Sequence, residues 1–116
     1  MAEAINQFEK ALQIEPAYPE ALNNLAWLMA ICPDVSLRNG NKAVELARQA
    51  NDLTGGVNPI VLQTLAVSFS EVGRFDDAVQ CVQKAIKVAP AAGRQDLVGP
   101  LNDELGRYKA RHPFHE

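Results

Sequence analysis

Proline and glycine divide the chain into segments, and within each segment the apolar residues recur three or four positions apart. The main breaks lie at 15–19, 55–59 and 90–93. Spacing of i, i+3, i+4 and i+7 places apolar side chains on one face of a helix. No segment shows the strict alternation that is typical of a half-buried strand. The pattern therefore predicts an all-α fold.

Six helices are predicted from the breaks and the periodicity, and one of them contains a proline. Asn58 before Pro59 is a strong start signal, because an Asn side chain caps a helix and proline lacks the N–H that would be unsatisfied there. Pro100 fits the last segment if the regular helix begins near Val98; otherwise it implies a kink. The predicted ranges are 2–14, 19–31, 40–53, 59–71, 75–88 and 95–110.

Composition excludes several classes of protein. The chain has 116 residues with 11 Lys and Arg against 14 Asp and Glu, a net charge of −3. This balance gives no electrostatic footprint for nucleic acid. No apolar run approaches the ~20 residues of a membrane helix. Cys32 and Cys81 are too few and too far apart for a metal or redox motif. Reduced cysteines and the absence of an export signal in these residues favour the cytoplasm.

No spacing of residues indicates catalysis. A nucleophile with its base, a phosphate loop, paired carboxylates or a metal quartet would each leave a pattern, and none is found. Gly55-Gly56 is interpreted as a helix stop. His112 and His115 are separated by Pro113, and two ligands rarely hold a metal, so a tail is the better interpretation. We expect no cofactor, no metal and no catalytic residue. A modest basic end, interpreted as a solvated face, comprises Arg107, Lys109 and Arg111.

One stretch carries a recognisable repeat pattern over two predicted helices. It combines large-small-large spacing in the first helix with regularly spaced alanines in the second, and Val82 stands where an aromatic residue is usual. The pattern resembles the tetratricopeptide repeat, whose period is 34 residues. Its residues are Leu62, Leu65, Ala66, Phe69, Gly73, Ala78, Val82, Ala85 and Pro90.

The resemblance extends to the segments on either side and implies an architecture. Residues 2–16 are similar to the second half of a repeat, 19–56 to a repeat with an enlarged internal turn, and 58–90 to a regular one. The resemblance implies an α-solenoid of antiparallel helix hairpins, with 94–110 as a capping helix and 111–116 as a tail. Residues 25–34 also resemble a subtype that is frequent in large bacterial proteins with many such repeats, and we expect the chain to be the carboxy-terminal part of a longer array.

In this family the first helices of successive repeats line a concave groove that holds a peptide. Carried over by position, the groove-lining residues are Asn23, Asn24, Trp27, Ala30, Gln63, Val67 and Ser70. Amide side chains in such a groove can pair with a ligand backbone. The alternative interpretation is that these residues are ordinary polar surface. Trp27 is either a binding anchor or a residue packed beneath the enlarged turn.

The resemblance implies a non-catalytic module that binds a peptide segment of another protein. An alternative is a scaffold element that associates with itself through the first apolar stripe, which lacks a preceding helix. A further alternative is the accessory region of a larger enzyme. We expect neither nucleic acid nor membrane insertion. The candidate residues for self-association are Ile5, Phe8 and Leu12.

Overall fold

A computed structural model describes residues 1–114, and it is helical throughout those residues apart from the connecting turns. The five helices that come first along the chain begin and end where the sequence predicts, and the all-α fold class is confirmed. The helices are α1 (Ala2–Ile14), α2 (Pro19–Ile31), α3 (Gly40–Leu53), α4 (Pro59–Glu71), α5 (Phe75–Val88) and α6 (Val98–Lys109).

The last predicted helix divides into two parts. A short 3-10 helix spans Gln95–Leu97, and α6 begins directly after it at Val98. Pro100 therefore lies in the first turn of α6, where its missing N–H removes no helical hydrogen bond. The prediction that the regular helix begins near Val98 is confirmed.

Asparagine side chains fix the starts of two helices. The Asn39 side chain accepts a hydrogen bond from the Lys42 backbone N–H at 3.1 Å. The Asn58 side chain accepts from the N–H groups of Ile60 and Val61 at 3.0 and 3.3 Å. These bonds satisfy donors that have no partner within the first helical turn.

The helices pack against their neighbours along the chain, and α2 also contacts α4. Fully buried small residues lie at these contacts, among them Ala26, Ala47, Ala66 and Ala85. Because alanine has no side chain beyond Cβ, these positions allow neighbouring helices to approach closely. Packing in adjacent pairs agrees with a helical repeat. The superhelical solenoid stays a prediction.

The enlarged turn between α2 and α3 is hydrogen-bonded to α2 and also within itself. The Asn39 N–H donates to the carbonyl of Met29 at 2.8 Å, and the Asp34 carboxylate accepts from the Ser36 N–H at 3.0 Å. Gly40 then approaches the end of α4 so closely that an added Cβ would lie 2.8 Å from Val72 Cγ1. The turn is thus an ordered part of the structure.

Within residues 1–114, no helix combines the length and the apolar character that crossing a bilayer requires.

Candidate functional site

The two asparagines predicted to face a ligand lie together on α2. Asn23 and Asn24 are both half-buried, and both line a cleft of about 530 Å³. The cleft lies between the beginnings of α2 and α4. Its other walls are formed by Tyr18, Pro19, Glu20, Thr54, Asn58, Ile60 and Val61.

One polar atom of this cleft has an unused capacity for hydrogen bonding. The side-chain oxygen of Asn23 is buried and accepts no hydrogen bond from residues 1–114. A buried acceptor without a donor is disfavoured by about 1–3 kcal/mol. The Asn23 side chain therefore keeps an unused acceptor, and this oxygen is closed to solvent in the structure.

Trp27 lies one helical turn beyond the asparagines, so Asn23 and Trp27 share a face of α2. Its indole is half-buried and meets the ring of Phe114 edge-on, with ring centroids 5.4 Å apart and planes at 72°. We call the surface formed by Asn23, Asn24 and Trp27 the α2 surface. The aromatic partner of Trp27 is therefore in the carboxy-terminal tail.

Three of the predicted groove residues lie inside the helix packing. Ala30 and Val67 have no exposed surface, and Ser70 is 2% exposed. The Ser70 hydroxyl donates to the carbonyl of Val67 at 2.7 Å. The structure thus corrects their placement, because packed helices leave these side chains no surface to offer a ligand.

Gln63, the polar residue predicted on α4, is engaged within the protein. Its side-chain N–H donates to the Glu104 carboxylate on α6 at 2.6 Å. The Tyr108 hydroxyl reaches the other oxygen of Glu104 at 3.4 Å. Gln63 therefore ties α4 to α6 through this cluster.

The polar cluster between α4 and α6 is largely shielded from water. Glu104 is 6% exposed, and burial raises the pKa of its carboxyl, while the hydrogen bonds from Gln63 and Tyr108 act in the opposite direction. Burial, together with the neighbouring Glu104 charge, raises the pKa of Tyr108 as well. Leu101, Glu104 and Tyr108 are spaced i, i+3 and i+7, so the sequence already predicts that they lie on the same face of α6.

The basic residues at the end of α6 make contacts within the chain. An Arg107 side-chain N–H donates to the carbonyl of Pro113 at 2.7 Å. Arg111 lies 3.4 Å from the Asp76 carboxylate in an exposed pair. Lys109 is exposed. Arg107 thus holds the tail rather than only facing solvent.

The described residues contain neither a reactive thiol nor a metal cluster. Burial raises the pKa of the Cys81 thiol to about 11, and Cys32 has no exposed surface. Residues 1–114 hold no group of three His, Cys, Asp or Glu side chains able to bind a metal. His115, half of the histidine pair considered from the sequence, lies outside the described residues.

With this geometry in place, one segment of the chain can be compared with a known protein family. Residues 61–91 match the tetratricopeptide repeat. The matched segment covers nearly all of α4 and all of α5, the stretch predicted as the regular repeat. Neither the search of curated proteins nor the search of solved structures found a significant match.

The match supports a relationship to the tetratricopeptide repeat family. Such repeats generally mediate protein–protein interactions and are typically non-catalytic. The half repeat at 2–16 and the repeat at 19–56 lie outside the match and stay predictions. The α2 surface belongs to this predicted repeat.

The first apolar stripe, predicted for self-association, is partly covered. Ile5 is 6% exposed, and Phe8 and Leu12 are half-buried. Phe8 lines an open groove of about 260 Å³ between α1 and α2, and Asn24 lines it as well.

Proposed function

We propose that the chain is a non-catalytic module that binds an extended peptide segment of a partner protein along the α2 surface. The observation that carries the proposal is the cleft of about 530 Å³ beside Asn23 and Asn24, with the half-buried ring of Trp27 one helical turn further along α2. The tetratricopeptide match supports a binding function in general.

The chemistry of the surface suits an extended peptide. Asparagine side chains both donate and accept, so they pair with the N–H and C=O groups of a ligand backbone. The ring of Trp27 beside them adds apolar contact area. Aromatic residues of this kind often supply a large share of the binding energy of an interface. Rigid helices hold these groups in place, so the ligand alone loses conformational freedom.

The test is a selection of binding peptides from a random library, followed by titration of the best peptide. Asn24→Arg places a large side chain in the cleft, whereas Gln83→Arg makes a comparable change at an exposed position of α5. We expect Asn24→Arg to abolish binding and Gln83→Arg to leave the affinity unchanged. Equal affinity in both variants would refute the site.

A second candidate function, self-association, is favoured by the open groove between α1 and α2. Phe8 lines this groove together with Ala11 and Ala21. A second copy would cover these apolar atoms. Sedimentation up to millimolar concentration tests it: we expect association that Phe8→Ser removes, and a strictly monomeric mass would contradict it.

A further inference from the structure

The tail after α6 leaves the helix through a defined turn. The His112 N–H donates to the Arg107 carbonyl at 2.9 Å, and the Arg111 N–H donates to the Tyr108 carbonyl at 3.0 Å. This pair of bonds is the Schellman pattern of helix ends, which usually has glycine in the left-handed position. Here Arg111 occupies that position with φ of +61°.

The left-handed conformation at Arg111 is disfavoured for a residue with a side chain. Such a conformation persists where surrounding contacts hold it in place. The residues that follow Arg111 make two contacts with the rest of the chain that help to hold this conformation, one with Arg107 and one with Trp27.

The first contact is made by the tail backbone. The Arg107 guanidinium donates to the Pro113 carbonyl at 2.7 Å, a charge-assisted bond. Because the acceptor is a main-chain carbonyl, this contact would be available to any extended segment in the same place.

The second contact is made by a side chain on the proposed binding surface. Phe114 packs edge-on against Trp27 with centroids 5.4 Å apart, a favoured geometry for aromatic rings. Phe114 is itself partly buried against the core. An aromatic residue directly after a proline thus covers the part of the α2 surface that the proposed function assigns to a ligand.

We propose that Arg111–Phe114 is an internal ligand of the α2 surface, and that the external partner is an extended peptide carrying an aromatic residue directly after a proline. This inference rests on the proposed function and adds its specificity and its regulation. The partner replaces Phe114 on Trp27 and Pro113 on Arg107.

A partner can displace the internal ligand because it would replace the two contacts that the tail makes with Trp27 and Arg107, one ring contact and one hydrogen bond. These two contacts act against the ordering of the segment and the left-handed conformation of Arg111. A competing peptide binds only to molecules whose tail is released, so its apparent affinity falls by the released fraction. If the tail is docked about nine-tenths of the time, removing its ring tightens external binding about tenfold.

Trp27 is the one tryptophan of the chain, so its fluorescence reports on the tail directly. The comparison is between the full chain and Phe114→Ala, with Phe114→Tyr retaining the ring and Ile14→Ala removing apolar atoms at an exposed site. We expect Phe114→Ala alone to shift the emission to longer wavelength and to increase quenching by acrylamide. Unchanged emission and quenching would overturn the proposal.

A peptide added in trans tests the chemistry of the partner. The probe is a blocked peptide of residues 110–114, and its control carries Phe114→Ala. We expect the probe to restore protection of Trp27 in the Phe114→Ala chain and to bind the wild-type chain about tenfold more weakly. Failure of the probe to bind, or equal binding of the control, would overturn the proposal.

The two proposals fail in different experiments. If Trp27 does not respond to Phe114→Ala while library peptides still depend on Asn24, the internal ligand is refuted and the proposed function stands. If Asn24→Arg changes the affinity of no library peptide while the 110–114 probe binds as expected, the cleft is refuted as a binding site. The proposal that Trp27 binds the tail then stands.

Discussion

Removing the Leu101 side chain tests whether α6 is an integral part of the fold. Leu101 has no exposed surface and belongs to the apolar core. Leu101→Ala deletes three carbon atoms from a closed environment, which costs about 2–5 kcal/mol in transfer and cavity energy. A loss of about 3 kcal/mol is expected, because the surrounding helices cannot collapse fully into the space.

The expected loss converts to a large change in melting temperature. For 116 residues, an unfolding entropy of about 2.1 cal/mol/K per residue gives about 0.24 kcal/mol/K, so the melting temperature falls by about 12 °C. Denaturant and thermal unfolding followed by circular dichroism measure both quantities.

A matched control separates burial from the chemical change itself. Ile14→Ala also deletes three carbon atoms, but Ile14 is 87% exposed, and we expect no measurable destabilisation. A loss below about 1 kcal/mol for Leu101→Ala would refute the packing of α6, because that is the size of an ordinary substitution. Equal losses in the two variants would refute it as well.

Three further predictions concern the polar cluster, the close packing and the tail. Burial raises the pKa of the Glu104 carboxyl in the folded protein above its value in the unfolded chain. The protonated carboxyl therefore contributes its full stabilisation at pH values below the unfolded-state pKa, and this stabilisation is lost as the pH rises through the folded-state pKa. In Glu104→Gln we expect the free energy of unfolding to depend less on pH in this range and to be higher at neutral pH. Denaturant titrations at several pH values measure both, and an unchanged pH dependence would contradict the burial of Glu104. Ala66→Leu overfills a fully buried site and should destabilise by about 1–3 kcal/mol in the same assay, and a neutral result would contradict the close packing of α4. A double-mutant cycle of Trp27→Ala and Phe114→Ala should give a coupling of about 0.5–1.5 kcal/mol in unfolding free energy, and additive losses would show that the rings do not interact.

Local signals in the sequence were sufficient to predict the helices. Apolar periodicity and the breaks define the segments, and Asn58 with Pro59 marks the start of α4, where the cap is observed. Pro100 was also informative, because proline is tolerated only at the start of a helix. Each of these signals acts within a few residues, so no tertiary contact was needed.

The surface was harder to predict because it depends on contacts between distant segments. Family position placed Val67 and Ser70 in a groove, whereas both are buried among the packed helices and the Ser70 hydroxyl donates to the Val67 carbonyl. Periodicity describes one helix at a time and does not show how much of its face a neighbour covers. The contact of Phe114 with Trp27 joins residues far apart in sequence and leaves no local pattern.

The most direct test is the affinity of a selected peptide for the Phe114→Ala chain, in which the tail ring no longer covers Trp27, and for the same chain that also carries Trp27→Ala. Circular dichroism and thermal unfolding first establish that both chains are folded. If the ring of Trp27 anchors the ligand, its loss weakens binding by about 1–2 kcal/mol, a factor of about 5–30 in the dissociation constant. Equal dissociation constants for two equally folded proteins would contradict a binding site on the α2 surface.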